Sequence, residues 1–189
     1  MNWIINYLIE MRVLIVSLLI TVGIVFVSCD SNQQSGYLAK KKNEKKESVG
    51  KSMEKVNRYL LEAENKEIDD YVRRHRWNMQ TTGTGLRYDV YKPGPGSAVK
   101  KGDHVVLNYK TFLINGNLIY TSDVLGPKVF EVGHGGVERG LEEAILLLHK
   151  GDKAHIILPS HLAYGLNGDG NRIPKRAIVI YDVELIDIK

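Results

Sequence analysis

The chain has 189 residues, enough for one compact domain with additional segments. Its hydrophobic fraction of 43% is ordinary for a globular protein, and its formal net charge is +4. Residues 37–79 contain twelve basic and eight acidic residues, whereas residues 80–189 contain thirteen and twelve. A C-terminal region this close to neutral argues against a nucleic-acid-binding surface.

The first part of the chain is typical of a targeting segment. Residues 13–27 form an almost unbroken apolar run that is too short for a comfortable membrane span, and Arg12 supplies a positive flank. We therefore predict a secretory signal peptide over residues 1–28. Met11 is a better start than Met1, because Glu10 is unfavourable in the positively charged beginning of a signal peptide.

Cys29, the sole cysteine, follows this segment directly and cannot form an internal disulfide. Phe26-Val27-Ser28-Cys29 resembles the lipobox of bacterial lipoproteins, in which the cysteine is acylated and the peptide before it is removed. The resemblance implies a lipid anchor at Cys29 and a domain in the periplasm, and it leaves the inner and outer membranes both open. The alternative is a spare thiol.

Residues 29–50 are predicted to be a polar, lysine-rich tether. The run Lys40-Lys-Lys-Asn-Glu-Lys-Lys46 has no apolar periodicity. Such a segment cannot bury enough surface to offset its ordering entropy. It is interpreted as a solvated spacer, or alternatively as a segment attracted to anionic lipid headgroups.

Residues 51–79 are predicted to contain an amphipathic helix that ends near Trp77. Apolar residues recur at three- and four-residue steps, with dense charge, including Glu64, on the other side. The stripe is too broken for a coiled coil, so the helix either packs on its own domain or forms a dimerisation arm. The apolar stripe consists of Met53, Val56, Leu60, Ala63, Ile68, Tyr71, Val72 and His75.

Residues 80–189 are typical of an antiparallel sheet with one helix. Alternating segments begin at Leu86, His104 and Lys153, and Asn115-Gly116 is the favoured pair for a type I′ hairpin turn. A single helical pattern covers Glu138–Leu148. Strands that follow strands, with one helix, predict an α+β fold.

A glycine-rich loop near the C-terminus predicts an apolar binding pocket. Tyr164 stands at the start of this loop, Ile173 stands where it returns, and Tyr181 lies in the alternating strand that follows. These side chains can converge on one concavity, which suits a substrate held by shape and a few hydrogen bonds. The pattern contains no nucleophile–base pair and no metal-ligand cluster, and it implies no cofactor.

From Leu86 to Lys189 the sequence resembles an FKBP-type peptidyl-prolyl cis-trans isomerase domain. The order and spacing of many short motifs carry the resemblance over about a hundred residues. It implies a half-barrel, in which a twisted antiparallel sheet wraps over one short helix, with an apolar pocket between them. The motifs are Gly102-Asp103, Val105–Tyr109, Asn115-Gly116, Thr121-Ser122, Phe130–Gly133, Arg139–Ala144, Gly151–Ala154, Ala163-Tyr164-Gly165, Ile173-Pro174 and Asp182–Leu185.

The resemblance also assigns residues to the pocket. Tyr109 and Tyr181 would be aromatic walls, and Tyr164 would donate its hydroxyl to a substrate carbonyl; these three are the predicted catalytic residues. Val137 would lie on the floor, and Ile173 would close the loop side. The full predicted substrate-binding set is Tyr109, Ile119, Tyr120, Val137, Glu138, Leu141, Tyr164, Ile173 and Tyr181.

This chain departs from the family pattern on one side of the pocket. Ile119-Tyr120 stands where Phe-Asp is usual, Lys128 replaces an aromatic wall and Glu138 replaces an isoleucine. Two further changes are Leu141 at a tryptophan position and Asp169 at a histidine position. The lysine and the glutamate would pair with each other or read charged substrate residues.

Two functions follow from the resemblance. The first is a prolyl isomerase that helps exported proteins fold by binding X–Pro segments of polypeptides. The alternative is a catalytically weak or inactive chaperone that holds a proline-containing partner in the same cleft. A protein that only spaces a domain from a membrane is a third reading. The sequence indicates neither the oligomeric state nor a nucleic-acid partner.

Overall fold

The structure, a computed structural model, describes residues 31–189, and it describes side chains from residue 50 onward. The predicted signal peptide and Cys29 lie outside the described residues. The chain divides into two compact units, residues 1–56 and Asn57–Lys189. All side-chain contacts described below lie within the second unit.

Helix α1 spans Ser31–His75. It covers the predicted helix, but it begins at Ser31 rather than near Lys51, and so includes most of the segment predicted as a tether. Lysine, glutamate and glutamine have high intrinsic helix propensity, so this segment needs no apolar face to favour the helix. Within residues 31–189, no helix combines the length and hydropathy needed to cross a bilayer.

Seven strands form one antiparallel sheet in the order β1-β2-β6-β7-β3-β4, and β5 pairs with β3 outside this path. Two long strands, β3 and β7, form its centre and pair along nearly their whole length, with a register shift after Val106. The strands are β1 (Gln80–Thr81), β2 (Arg87–Lys92), β3 (His104–Leu113), β4 (Leu118–Thr121), β5 (Lys128–Glu131), β6 (Lys153–Leu158) and β7 (Val179–Ile188).

Three short helical segments join these strands: α2 (Ser122–Leu125), α3 (Arg139–Ile145) and a 3₁₀ turn at Ser160–Leu162. Helix α3 buries Gly140, Leu141, Ala144 and Ile145 against one face of the sheet. It is shorter than the predicted Glu138–Leu148 because its last turn tightens, with Leu148 N–H donating to the Ile145 carbonyl. The predicted α+β half-barrel, an open sheet over one short helix, is confirmed.

The C-terminal part of α1 packs on the other face of the sheet. Ile68 and Tyr71 are buried against three isoleucines of β6 and the β7 region, Ile157, Ile178 and Ile180. The end of β6 and the beginning of β7 are therefore apolar on both faces, which explains the unbroken apolar runs at residues 156–158 and 177–181. Of the two readings of the predicted helix, packing on its own domain describes this part of α1.

The hairpin between β3 and β4 forms as predicted, but with a different turn. Gly116 has φ 87°, whereas Asn115 is not among the non-glycine residues with positive φ. A type I′ turn needs positive φ at both central residues, so that part of the prediction is wrong. Gly116 N–H donates to the Leu113 carbonyl, so the turn runs from Leu113 to Gly116 and the glycine is its last residue. The register of the β3–β4 pair is also irregular nearby, between Thr111 and Phe112.

Candidate functional site

Strands β3 and β7 bring two of the predicted tyrosines together. Tyr109 pairs with Val183 and Tyr181 pairs with Thr111, so the tyrosines lie diagonally on one face of neighbouring strands. Their ring centroids are 6.4 Å apart, with planes inclined at 59°. Tyr181 is 1% exposed and Tyr109 8%, so both form a wall of the core that faces α3.

The start of α3 is held in place by its own first turn. Glu142 Oε1 accepts from the Gly133 and Gly135 N–H groups, both at 2.9 Å. These glycines have φ of 93° and 78°, which other residues rarely adopt, so the loop turns sharply into the helix. Val137 and Glu138 are thereby placed next to the tyrosine wall, with Leu141 fully buried below them.

Glu138 lies beside the tyrosine wall, and its side chain is 7% exposed. Its Oε1 accepts a short hydrogen bond from the Tyr164 hydroxyl. Its Oε2 lies 3.7 Å from Lys128 Nζ and has no hydrogen-bond partner among the described residues. The Lys128 ammonium in turn lies 5.2 Å from the Tyr109 ring centroid and 5.9 Å from that of Tyr181.

This carboxylate affects the ionisation of all three tyrosines. Burial, followed by the hydrogen bond to Glu138, raises the pKa of Tyr164. Burial and then the charge of Glu138 raise the pKa of Tyr109 and, far more strongly, that of Tyr181. The three phenols are therefore neutral hydrogen-bond donors across the physiological pH range.

The loop that carries Tyr164 is closed by Asp169. Asp169 Oδ1 accepts from the N–H groups of Asn171 and Ile173, each at 2.8 Å, and Oδ2 accepts a short hydrogen bond from the Tyr120 hydroxyl. Burial raises the pKa of Asp169, but these hydrogen bonds outweigh it and leave the pKa lowered. Ile173 is thereby held in the core with 2% exposure.

A second contact joins this loop to β4. Arg172 Nη1 donates to the Ile119 carbonyl at 3.1 Å, and its guanidinium lies 6.0 Å from the Tyr120 ring centroid. Tyr120 therefore takes part in closing the loop through its hydroxyl and its ring. Asp169 and Tyr120 stand at two positions where this chain departs from the family pattern, and in this structure they are joined by a hydrogen bond.

The structure brings the predicted site residues around one cluster. Tyr109, Leu141, Ile173 and Tyr181 are buried members of the core, and the other side chains pack on it, partly buried. The partly buried group comprises Ile119, Tyr120, Val137 and Tyr164, while Glu138 joins through Tyr164.

Two features of the cleft differ from the simple apolar pocket. The Tyr164 hydroxyl, predicted to donate to a substrate carbonyl, here donates to Glu138. Lys128 and Glu138, for which the sequence left two roles open, pair with each other in this structure. The roles of these residues toward a substrate remain predictions.

Glu64 lies on the opposite side of α1 from the one that its charge predicts. The charge pattern places it with the solvent-facing residues, yet it is 8% exposed and bonds to Ser160 and Arg176. Its position, four residues from both Leu60 and Ile68, was the available signal for a buried location. Among the side chains that the structure describes, those of residues 50–189, no group of His, Cys, Asp and Glu is arranged to hold a metal ion.

Comparison with known proteins agrees with this fold. The family model described as FKBP-type peptidyl-prolyl cis-trans isomerase matches residues 96–186. FkpA of Escherichia coli K12, named an FKBP-type peptidyl-prolyl cis-trans isomerase, is 37% identical over 129 residues, which are 68% of this chain and 46% of FkpA. The chain thus spans about half the length of this curated relative.

Two further comparisons cover more of the related protein. FK506-binding protein 1A of Neurospora crassa is 36% identical over 107 residues, which are 56% of this chain and 89% of that protein. The crystal structure of Escherichia coli FkpA superposes with a TM-score of 0.60 and 31% identity, over 92% of this chain and 81% of that one. The chain therefore belongs to the FKBP-type peptidyl-prolyl cis-trans isomerase family.

Proposed function

We propose that this protein is a peptidyl-prolyl cis-trans isomerase that acts on proline-containing segments of exported polypeptides. The observation that carries the proposal is the convergence of Tyr109, Tyr164 and Tyr181 with apolar residues on one cleft of an FKBP fold. The name of the Escherichia coli relative, FKBP-type peptidyl-prolyl cis-trans isomerase FkpA, supports the same activity.

The chemistry requires stabilisation of a twisted amide rather than a nucleophile. Rotation about an X–Pro bond must overcome a barrier of roughly 18–20 kcal/mol because amide resonance is lost. The twisted amide is less polar than the planar one, so walls such as Tyr109, Leu141 and Tyr181 favour it over the planar ground state. Each gain of about 1.4 kcal/mol in this preference accelerates the reaction about tenfold.

Tyr164 would orient the substrate through a hydrogen bond to a carbonyl. Its hydroxyl is neutral, but in the free protein it donates its hydrogen bond to Glu138. A substrate carbonyl must therefore compete with a carboxylate, a stronger acceptor than an amide. This competition lowers the activity of the cleft below that of one with an apolar residue at position 138.

The same contacts support a second candidate, a module that holds proline-containing segments without isomerising them. Lys128 and Glu138 introduce a charge pair into the cleft, and Lys128 lies over two of its aromatic rings. A charged pair does not favour the less polar twisted amide, but it does not prevent a peptide from binding at the rim.

A protease-coupled assay with Xaa-Pro peptides separates the two candidates. The chain from Asp30 to Lys189 would be assayed with Leu, Phe, Lys and Glu before proline, and the affinity for each peptide would be measured in parallel. An isomerase accelerates at least one peptide in proportion to its concentration. Binding without acceleration for the whole series would support the holding module.

We also propose that the protein is anchored to a membrane of the cell envelope through acylated Cys29, with its isomerase domain in the periplasm. The support is the sequence alone: an apolar segment of signal-peptide length, the lipobox-like Phe26-Val27-Ser28-Cys29 and a single cysteine. Two or three acyl chains would give stable anchoring, since each buried methylene contributes about 0.8 kcal/mol.

A further inference from the structure

The loop that carries Tyr164 closes on itself next to that residue. Gly165 N–H donates to the Ser160 carbonyl, and Arg176 N–H donates to the Gly165 carbonyl, both at 2.8 Å. Residues 160 and 176, the two ends of the loop, therefore meet at Gly165, directly after Tyr164. A contact that holds these two ends therefore also holds the backbone directly after Tyr164.

Glu64 of helix α1 bonds to both ends of this loop. Its carboxylate accepts from Ser160 N–H at 3.2 Å and from the Ser160 hydroxyl at 2.8 and 3.0 Å. It also accepts from Arg176 Nη2 at 3.0 Å. Glu64 and Ser160 are 8% and 6% exposed, so water does not compete strongly for these bonds.

The backbone at Arg176 needs such a contact. Arg176 has φ 58° and is one of two non-glycine residues with positive φ in the described part of the chain. A side chain in this region is strained and persists only where its surroundings hold it. The bond from its guanidinium to Glu64 and the bond from its N–H to Gly165 provide this restraint.

Contacts other than those of Glu64 also hold the helix on the domain. Asp69 of the same helix pairs with Arg87 of β2 at 2.8 Å, and Ile68 and Tyr71 are buried against the sheet. None of these contacts involves residues 160–176. A cavity of about 600 Å³ lies beside Glu64, Gly165 and Arg176, which leaves the loop room to move if the carboxylate is lost.

We propose that Glu64 is a positioning residue through which helix α1 sets the geometry of the Tyr164 side of the cleft. The expected effect of Glu64 on kcat/KM rests on the proposed isomerase function. Its expected effect on the order of residues 160–176 does not depend on that function. A change that shifts α1 relative to the sheet would act on the rate of the domain through this contact.

The test compares Glu64→Gln with Asp69→Asn in the full chain, purified in detergent because its N-terminal segment is apolar. Both variants remove one carboxylate charge from α1, but only the first contacts the loop. We expect Glu64→Gln to lower kcat/KM for a Leu-Pro peptide on the order of tenfold. Asp69→Asn should stay within about twofold of the parent.

Amide hydrogen exchange supplies a readout that a general loss of stability would not produce. In Glu64→Gln, exchange should accelerate in residues 160–176 while the central strands β3 and β7 keep their protection. Ser160→Ala removes only the hydroxyl contact with Glu64, so exchange in the loop should accelerate to an intermediate degree. This variant also provides the test if Glu64→Gln does not fold.

The outcomes are distinct. Equal exchange in the loop of the parent, Glu64→Gln and Ser160→Ala would overturn the proposal, as would equal losses of kcat/KM in Glu64→Gln and Asp69→Asn. If the parent has no isomerase activity, the proposed function fails, and the exchange comparison still decides whether Glu64 positions the loop.

Discussion

At the scale of single residues, Glu138 distinguishes this cleft from an apolar proline pocket. Its carboxylate is nearly buried, accepts from Tyr164 and pairs with Lys128 at 3.7 Å. A buried ion pair contributes little net stability, because the cost of removing both charges from water offsets their attraction. Loss of one partner is destabilising, because it leaves the other charge buried without a counter-charge. The two residues should therefore be changed together rather than singly.

The double variant Lys128→Phe/Glu138→Ile restores the residue types of the family pattern and frees the Tyr164 hydroxyl. Removal of a charge-assisted bond of about 1.5–3 kcal/mol predicts a rise in kcat/KM of about tenfold or more in the isomerase assay. Lys128→Phe alone should instead lower the free energy of unfolding by about 3 kcal/mol, measured by urea titration. A double variant no faster than the parent would show that Glu138 does not restrain Tyr164.

At the scale of elements, a stack of aromatic rings joins the segment after α1 to the sheet. The ring of His155 in β6 lies between the rings of Trp77 and of Tyr91 in β2. Its centroid is 3.9 Å from that of Trp77 and 4.4 Å from that of Tyr91. Its Nδ1 is buried and has no partner among the described residues. Burial lowers the pKa of His155 from 6.5, and the nearby Asp182 and Asp89 oppose this shift only in part.

This lowered pKa predicts that acid weakens the fold. Well above pH 6.5 the imidazole is neutral in both the folded and unfolded states. As the pH falls through 6.5, the unfolded chain takes up a proton that the folded protein resists. The free energy of unfolding should thus fall as the pH drops below 6.5. Urea titrations of His155→Phe should show a flatter dependence there, while His134→Gln, at an exposed site, should follow the parent. Parallel curves for His155→Phe and the parent would remove His155 as the cause.

Elements with a local signal were predictable from the sequence, and contacts between distant segments were not. The alternation in β7 predicts that Tyr181, Val183 and Leu185 share one face, because period two depends only on the strand itself. Only the family resemblance implied that Tyr109 of β3 lies beside Tyr181, since the pairing of these two strands is not a local property. The Tyr164–Glu138 bond joins residues 26 apart, so no local pattern encodes it. The sequence predicts an exposed Glu64 because a charged side chain is usually on the surface, although its spacing from Leu60 and Ile68 is that of a buried residue. Asn115-Gly116 forms a turn other than type I′, because only the glycine has a positive φ.

At the scale of the whole molecule, the proposal joins an isomerase domain to a lipid anchor. The chain expressed in a bacterium supplied with radiolabelled palmitate should be labelled and recovered with the membranes. Cys29→Ser should lose both label and membrane association, whereas Ser31→Ala, a small change two residues later, should keep both. Label that persists in Cys29→Ser would contradict acylation at this cysteine.

The isomerase function of the domain can be tested by measuring the isomerisation rate of the parent beside two tyrosine variants. Tyr164→Phe removes the hydroxyl at the cleft, whereas Tyr91→Phe removes one that donates to Asp182 at 2.9 Å on another part of the sheet. We expect a parent rate above the uncatalysed rate, a loss of about tenfold in kcat/KM for Tyr164→Phe and no change for Tyr91→Phe. A parent rate equal to that of buffer, or equal rates for the parent and Tyr164→Phe, would contradict it.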